Sequence, residues 1–265
     1  MKRISSRHHP LVAACRALIR RRSDDPRILL DGLHLLAEAR RAHLVVEAAA
    51  FSARALTEDE GVALAGALEA DGVEVVEAAD AVLAAMSPVS TPSGVVAIAR
   101  RPPASLEAAL ARPPQLVLVA VDIQDPGNVG AIVRASEAGG ATGVVFCGAS
   151  ADPLGWKALR GSMGSALRLP VAGGQSLDES LAHIRRAGLR VVATVPRSGC
   201  RPEQVDLRGP VALLLGGEGP GLPDAVVGAA DAGISIPMQP PVESLNVAVA
   251  AALLVYEAAR QRQTT

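Results

Sequence analysis

Leu116-Val117-Leu118-Val119-Ala120-Val121-Asp122-Ile123-Gln124-Asp125-Pro126-Gly127-Asn128-Val129-Gly130-Ala131-Ile132-Val133-Arg134 passes from strand to turn to helix. It opens with an unbroken apolar run. A strand with one wet face alternates polar and apolar residues, so an unbroken run implies cover on both faces. Pro126-Gly127 makes a tight turn, and Asn128 can cap the apolar helix expected over 129–138. Arg134 stands nearly two turns into that helix, where a lone cation either snorkels to water or meets an anion. Similar apolar runs recur at 144–147, 189–195, 211–215 and 234–236, with helical patterns at 175–187 and 246–260. Strands alternating with helices predict an α/β domain with a mostly parallel sheet covered on both faces.

Upstream, Arg100-Arg101-Pro102-Pro103 and Ala111-Arg112-Pro113-Pro114 bracket a short helix-like piece. Proline removes a backbone donor and disfavours helix in the residue before it, so this stretch reads as a semi-rigid connector. The expected division is an N-terminal domain at 1–100, a linker at 101–114 and a second domain at 115–265. Within the first, helices are expected at 10–22 and 31–40, and strands at 43–46, 73–76 and 94–99. These make a small α/β domain.

Composition narrows the function. Of 265 residues, 49% are hydrophobic but only 2% aromatic, so the core is built from Ala, Val, Leu and Ile. Trp156, Tyr256, Phe51 and Phe146 are too few to stack bases, which argues against an RRM-like or OB-like platform. Net charge is −1, yet residues 1–27 hold eight Lys or Arg against two Asp, while 28–112 hold six Arg against twelve acids. The N-terminal cluster, with Arg20-Arg21-Arg22, suits phosphate or serves as a solvated helix face. Cys15, Cys147 and Cys200 are odd in number and far apart, and the five His form no ligand cluster; neither zinc nor a disulfide framework is expected. No signal peptide and no uncharged membrane-length run is visible. A reducing, cytoplasmic setting is the expectation.

Ligands of open parallel sheets bind beyond the carboxyl ends of the strands, so the loops after strands are the place to look. In Leu213-Leu214-Leu215-Gly216-Gly217-Glu218-Gly219-Pro220-Gly221-Leu222, clustered glycines let backbone approach a ligand closely. No Lys-Ser/Thr follows, and the spacing fits neither a Walker loop nor a dinucleotide fingerprint. In Ile234-Ser235-Ile236-Pro237-Met238-Gln239-Pro240-Pro241-Val242-Glu243-Ser244-Leu245-Asn246-Val247-Ala248, a strand ends at proline and Ser244 and Asn246 open a helix. The simplest reading is a capped strand–loop–helix; beside the glycine loop, Met and Ile could also contact a flat ring. Trp156-Lys157-Ala158-Leu159-Arg160-Gly161-Ser162-Met163-Gly164-Ser165-Ala166 suits phosphate or ribose contacts, or is a helix followed by a turn.

In this order, the loops at Asn128–Arg134, Leu215–Leu222 and Ile236–Ala248 resemble the three motifs of the SpoU/TrmH family of RNA ribose 2′-O-methyltransferases, in the SPOUT superfamily, over about 115–263. Ile28-Leu29-Leu30-Asp31-Gly32-Leu33-His34-Leu35-Leu36 is similar to the start of that family's substrate-domain helix, with Asp31 where Glu is usual. Ser90-Thr91-Pro92-Ser93-Gly94-Val95-Val96-Ala97 resembles the end of that domain. The pattern is that of the two-domain rRNA enzymes more than of the single-domain tRNA ones.

The resemblance implies a C-terminal trefoil knot, a homodimer, an N-terminal RNA-binding domain and no membrane contact. It implies S-adenosylmethionine near Gly216, Gly219, Ile236, Met238 and Leu245. Asn128, Arg134, Glu218, Ser244 and Asn246 would surround the reacting ribose. Family precedent makes Arg134 the proton acceptor. A guanidinium is protonated at ordinary pH and has no acceptor, so binding phosphate or a developing alkoxide suits it better. Two other readings stand beside rRNA 2′-O-methylation: a tRNA methyltransferase, and a catalytically silent RNA-binding member of the fold.

Overall fold

The computed structural model describes every residue except 21–24, 114, 218, 220, 264 and 265, so Arg21, Arg22 and Glu218 lie outside the described residues. The chain folds as two compact units, Met1–Pro102 with Leu154–Arg168, and Pro103–Pro153 with Leu169–Thr265.

The first unit carries a five-stranded sheet in the order β1-β4-β3-β5-β2. Its strands are β1 (Lys2–Ile4), β2 (Arg27–Asp31), β3 (Val46–Ser52), β4 (Glu74–Ala78) and β5 (Val95–Arg100). β1, β4 and β3 run parallel; β5 is antiparallel to β3 and β2. The helices are α1 (Pro10–Ile19), α2 (Leu33–Arg41), α3 (Asp59–Ala70) and α4 (Asp80–Met86). Leu29, Ala50, Val76 and Ile98 of the sheet pack with Val12, Leu18, Leu83 and Met86 of α1 and α4.

Three sequence expectations shift here. Residue 31 does not start a helix: Asp31 closes β2, where its buried carboxylate accepts hydrogen bonds from Ser87 Oγ at 2.6 Å and Ser93 Oγ at 3.1 Å. Gly32, at φ +111°, then turns the chain into α2. The apolar run Ile28-Leu29-Leu30 merges in sequence with the helical pattern after it, which hides the break. The strand expected at 43–46 begins only at Val46, because His43 adopts φ 56° in the turn that ends α2. α1 stops at Ile19, with Arg20 at its C-cap.

The second unit holds a six-stranded sheet in the order β11-β9-β10-β6-β7-β8, with every neighbouring pair parallel. Its strands are β6 (Leu116–Val121), β7 (Gly143–Cys147), β8 (Val171–Gln175), β9 (Arg190–Thr194), β10 (Val211–Gly216) and β11 (Ala232–Ile234). Its helices are α5 (Leu106–Leu110), α6 (Pro126–Ala138), α9 (Leu177–Arg186), α10 (Asp224–Gly228) and α11 (Val247–Gln263). The segment between β7 and β8 forms α7 (Trp156–Ser162) and α8 (Ser165–Arg168), which pack within the first unit. There Arg160 lies 3.8 Å from Asp31 and Arg168 pairs with Glu38.

All of β6 is 2% exposed or less, as the unbroken apolar run requires. One face, with Val117, Val119, Val145 and Leu214, packs on Leu181 and Ile184 of α9. α6 and α11 pack against each other and onto the sheet, and Leu254 and Val255 of α11 are fully buried. A Cβ on Gly139 would strike Val255, so glycine is what lets the two helices approach. β8 escaped the sequence reading because Val171-Ala172-Gly173-Gly174-Gln175 has few side chains to mark a strand.

Candidate active site

Because the second sheet is parallel throughout, the loops after its strands gather at one edge. A cleft of about 590 Å³ opens there, among the loops after β9, β10 and β11 and the start of α11. Gly216, Gly219, Ile236, Met238 and Leu245 all line it, and so does Ser244. The volume is within the usual range for small-molecule sites.

Glycine shapes this edge by close approach. A Cβ on Gly216 would collide with the backbone of Gly221 and Leu222, and one on Gly217 with the carbonyl of Asp122. Gly219 and Gly221 take φ of +100° and +69°, which side-chain-bearing residues rarely adopt. Asp122 itself sits at φ 57° and accepts the Ala149 amide on Oδ1 at 2.7 Å, tying the loop after β6 to that after β7.

Asn246 has two jobs. Its Oδ1 accepts the amides of Ala248 at 2.9 Å and Val249 at 3.3 Å, which caps α11. Its Nδ2 donates to Asn128 Oδ1 at 3.0 Å, joining the start of α11 to the first turn of α6. The capping expected of Asn128 falls to Asp125, whose Oδ1 accepts from the Gly127 amide at 2.7 Å, with Pro126 at the first helical position. Ser244 is exposed and precedes the cap.

Arg134 stands apart from this group. It is exposed on α6, is not among the residues lining the cleft, and has no ion-pair partner among the described residues. Six residues separate it from Asn128, about 120° around the helix, so the two point to different sides of α6. Glu218 lies outside the described residues.

The structure adds side chains to the cleft that the sequence reading passed over. Thr194, Arg197, Asp224 and Glu243 all line it. The signal was present: Val195-Pro196-Arg197-Ser198-Gly199 is a turn-rich loop directly after a parallel strand, the same context that singled out the glycine loop. Trp156–Ser162 is a helix, ended by Met163 in the left-handed conformation at φ 50°.

The family model for the SpoU rRNA Methylase family matches residues 115–256. The chain belongs to the SpoU rRNA methylase family. A second model, an MRM3-like substrate binding domain, matches residues 12–97 of the same chain. Among its relatives, an uncharacterized tRNA/rRNA methyltransferase of Synechocystis, slr1673, is 35% identical over 98% of this chain and 94% of its own length. The 23S rRNA (guanosine(2553)-2′-O)-methyltransferase RlmP of Bacillus subtilis is 30% identical, over 86% of each chain. Among solved structures, the SpoU methyltransferase AviRb of Streptomyces viridochromogenes, in complex with AdoMet, is similar with a TM-score of 0.87 at 28% identity, over 97% of this chain and 99% of that one. The SpoU match falls on the unit that carries the cleft, and the substrate-binding match on the unit built around β1–β5.

Proposed function

We propose that this chain is an S-adenosylmethionine-dependent RNA ribose 2′-O-methyltransferase acting on structured rRNA of the 23S type. One observation carries the reading. Gly216, Gly219, Ile236, Met238 and Leu245, from two separate loops, line a single cleft beside the Asn246–Asn128 bond. The cleft fits the cofactor chemically. Ile234, Ile236, Met238 and Leu245 offer apolar faces for a flat base, and a few polar and charged side chains stand at its edge.

When bound, S-adenosylmethionine supplies an electrophilic methyl group on a sulfonium. The protein's part is then positional and electrostatic. Asn246, held by its cap and by Asn128, is preorganised to orient a ribose hydroxyl, and fixed alignment of this kind supplies several kcal/mol. Arg134 has no lone pair to take a proton. Set apart from the cleft and free of acidic partners among the described residues, it is assigned to a substrate phosphate.

The rRNA preference rests on the similarity to RlmP over 86% of each chain, the substrate-binding match and the cationic N-terminal segment. A trefoil knot is the topology this reading requires. We assign the protein to a homodimer in the cytoplasm. Val249, Leu253 and Tyr256, at 48%, 48% and 55% exposure, form an apolar stripe on α11 suited to a second copy. Cys15, Cys147 and Cys200 are free thiols. No helix among the described residues is long and apolar enough to cross a membrane.

The test is tritiated methyl transfer from S-adenosylmethionine to rRNA and to total tRNA, followed by nucleoside analysis. Labelled 2′-O-methylnucleoside from rRNA supports the reading. Label only in tRNA, or only on bases, redirects it, and no label with intact cofactor binding favours a silent RNA-binding protein. Arg134→Lys is expected to lower kcat by about tenfold or more, because a point charge replaces a planar fork; near-full activity would remove the bidentate role.

A further inference from the structure

Arg197 is the one cation among the described residues that line the cleft, and it faces Glu243 across the opening, Nη2 to Oε1 at 3.4 Å. The two come from different loops, Arg197 from the turn after β9 and Glu243 from the loop before α11. Both side chains are largely in water, 75% and 81% exposed. A single long contact between exposed groups is worth little and opens easily.

The backbone beneath Arg197 is firmly held. Val195 N donates to Ile234 O and Cys200 N to Gly233 O, both at 2.9 Å, and Ser235 N returns to Cys200 O at 2.9 Å. Ser235 Oγ adds a bond to Pro196 O at 3.2 Å. Ser198, at φ 65°, and Gly199, packed against the Ile234–Ser235 backbone, make the tight turn. A loosely paired guanidinium thus rides on a well-fixed loop at the mouth of the cleft.

We infer that Arg197 and Glu243 form the subsite for the zwitterionic amino-acid end of the cofactor, the guanidinium taking its α-carboxylate and the Glu243 carboxylate its α-ammonium. This rests on the cofactor reading above. S-adenosylmethionine has one part that carries a carboxylate and an ammonium together, and the described lining offers one place where a cation and an anion stand side by side. Binding exchanges the weak Arg197–Glu243 contact for two charge-assisted ones, and a planar guanidinium suits a carboxylate in a two-pronged contact.

The experiment is calorimetry on the full chain with two ligands. S-adenosylhomocysteine has the amino-acid end; 5′-methylthioadenosine has the same base, ribose and sulfur without it. Wild type is expected to prefer S-adenosylhomocysteine. Arg197→Ala should weaken that ligand by about tenfold or more and leave methylthioadenosine within about twofold, which also reports an intact fold. Glu243→Gln should weaken the same ligand selectively and less, since the amide still accepts a hydrogen bond. Unchanged S-adenosylhomocysteine affinity in Arg197→Ala, or an equal loss for both ligands, overturns the assignment while the cofactor reading survives. If wild type binds neither ligand, the cofactor reading itself falls.

Discussion

Asn246 concentrates the site's local physics in one side chain. Its oxygen satisfies two amides that a helix start leaves unpaired, and its amide nitrogen reaches Asn128 on another helix. The two roles separate by substitution. Asn246→Ala loses both and should destabilise the protein by about 1–2 kcal/mol in urea titration, with methyl transfer nearly abolished. Asn246→Asp keeps a capping acceptor but cannot donate to Asn128. It should retain near-wild-type stability and still lose methyl transfer. Wild-type activity in the Asp variant would show that the Asn128 contact is structural only. Gly216 makes the complementary point, because what matters there is the absence of a side chain where the glycine loop folds back on itself.

α11 shows how one helix serves several neighbours. Ala251, Leu254, Val255 and Ala258 face inward and are fully buried, and Val255 nests against Gly139. Its C-terminal end is tied down: Arg262 donates to the carbonyls of Leu207 at 2.9 Å, Gln115 at 2.9 Å and Gly209 at 2.7 Å. That leaves Val249, Leu253 and Tyr256 on the outer face, spaced by four and then three residues as one helical stripe requires. An apolar stripe on a helix otherwise so well packed calls for a partner surface. Leu253→Asp should therefore convert a dimer to a monomer in sedimentation, with little change in far-UV circular dichroism. A wild-type chain that sediments as a monomer at micromolar concentration would rule out that interface.

For the molecule as a whole, burial decides how the thiols behave and how the fold responds to alkali. Cys15 lies in the core of the first unit, and desolvation pushes its thiol up to about 12; Cys147, in the core of the second, is shifted upward by the same cause, while Cys200 is exposed. A native chain at mildly alkaline pH should take up one alkylating label, at Cys200, and three only after unfolding, as read by intact mass. The sign of the linkage follows. The folded state keeps Cys15 protonated where the unfolded chain, near the ordinary thiol value of 9.0, has released its proton. Stability is therefore undiminished below about 9 and falls as pH rises from there towards about 12. Urea midpoints measured from pH 8 to 10.5 should decline, and Cys15→Ala should flatten part of that decline.

Local sequence was enough for the fold class and for most of the second sheet. β6, β7, β9 and β10 are apolar runs whose signal comes from burial on both faces, a property written in consecutive residues. The two loops that line the cleft are marked by clustered glycines and by a helix start, which are also local properties; the five cofactor positions within them come from the family resemblance. What sequence order does not carry is distance between loops. Arg197 and Glu243 are 46 residues apart and meet through two strand connections, Asn128 and Asn246 meet over 118, and the Trp156–Ser162 helix leaves its sequence neighbours to pack in the first unit. The helical pattern after Asp31 places it at a helix start, whereas the two serines that donate to its carboxylate come from more than fifty residues away. Periodicity and turn chemistry act over a few residues, whereas the cleft is assembled by strand register, and register is fixed only when the whole sheet packs.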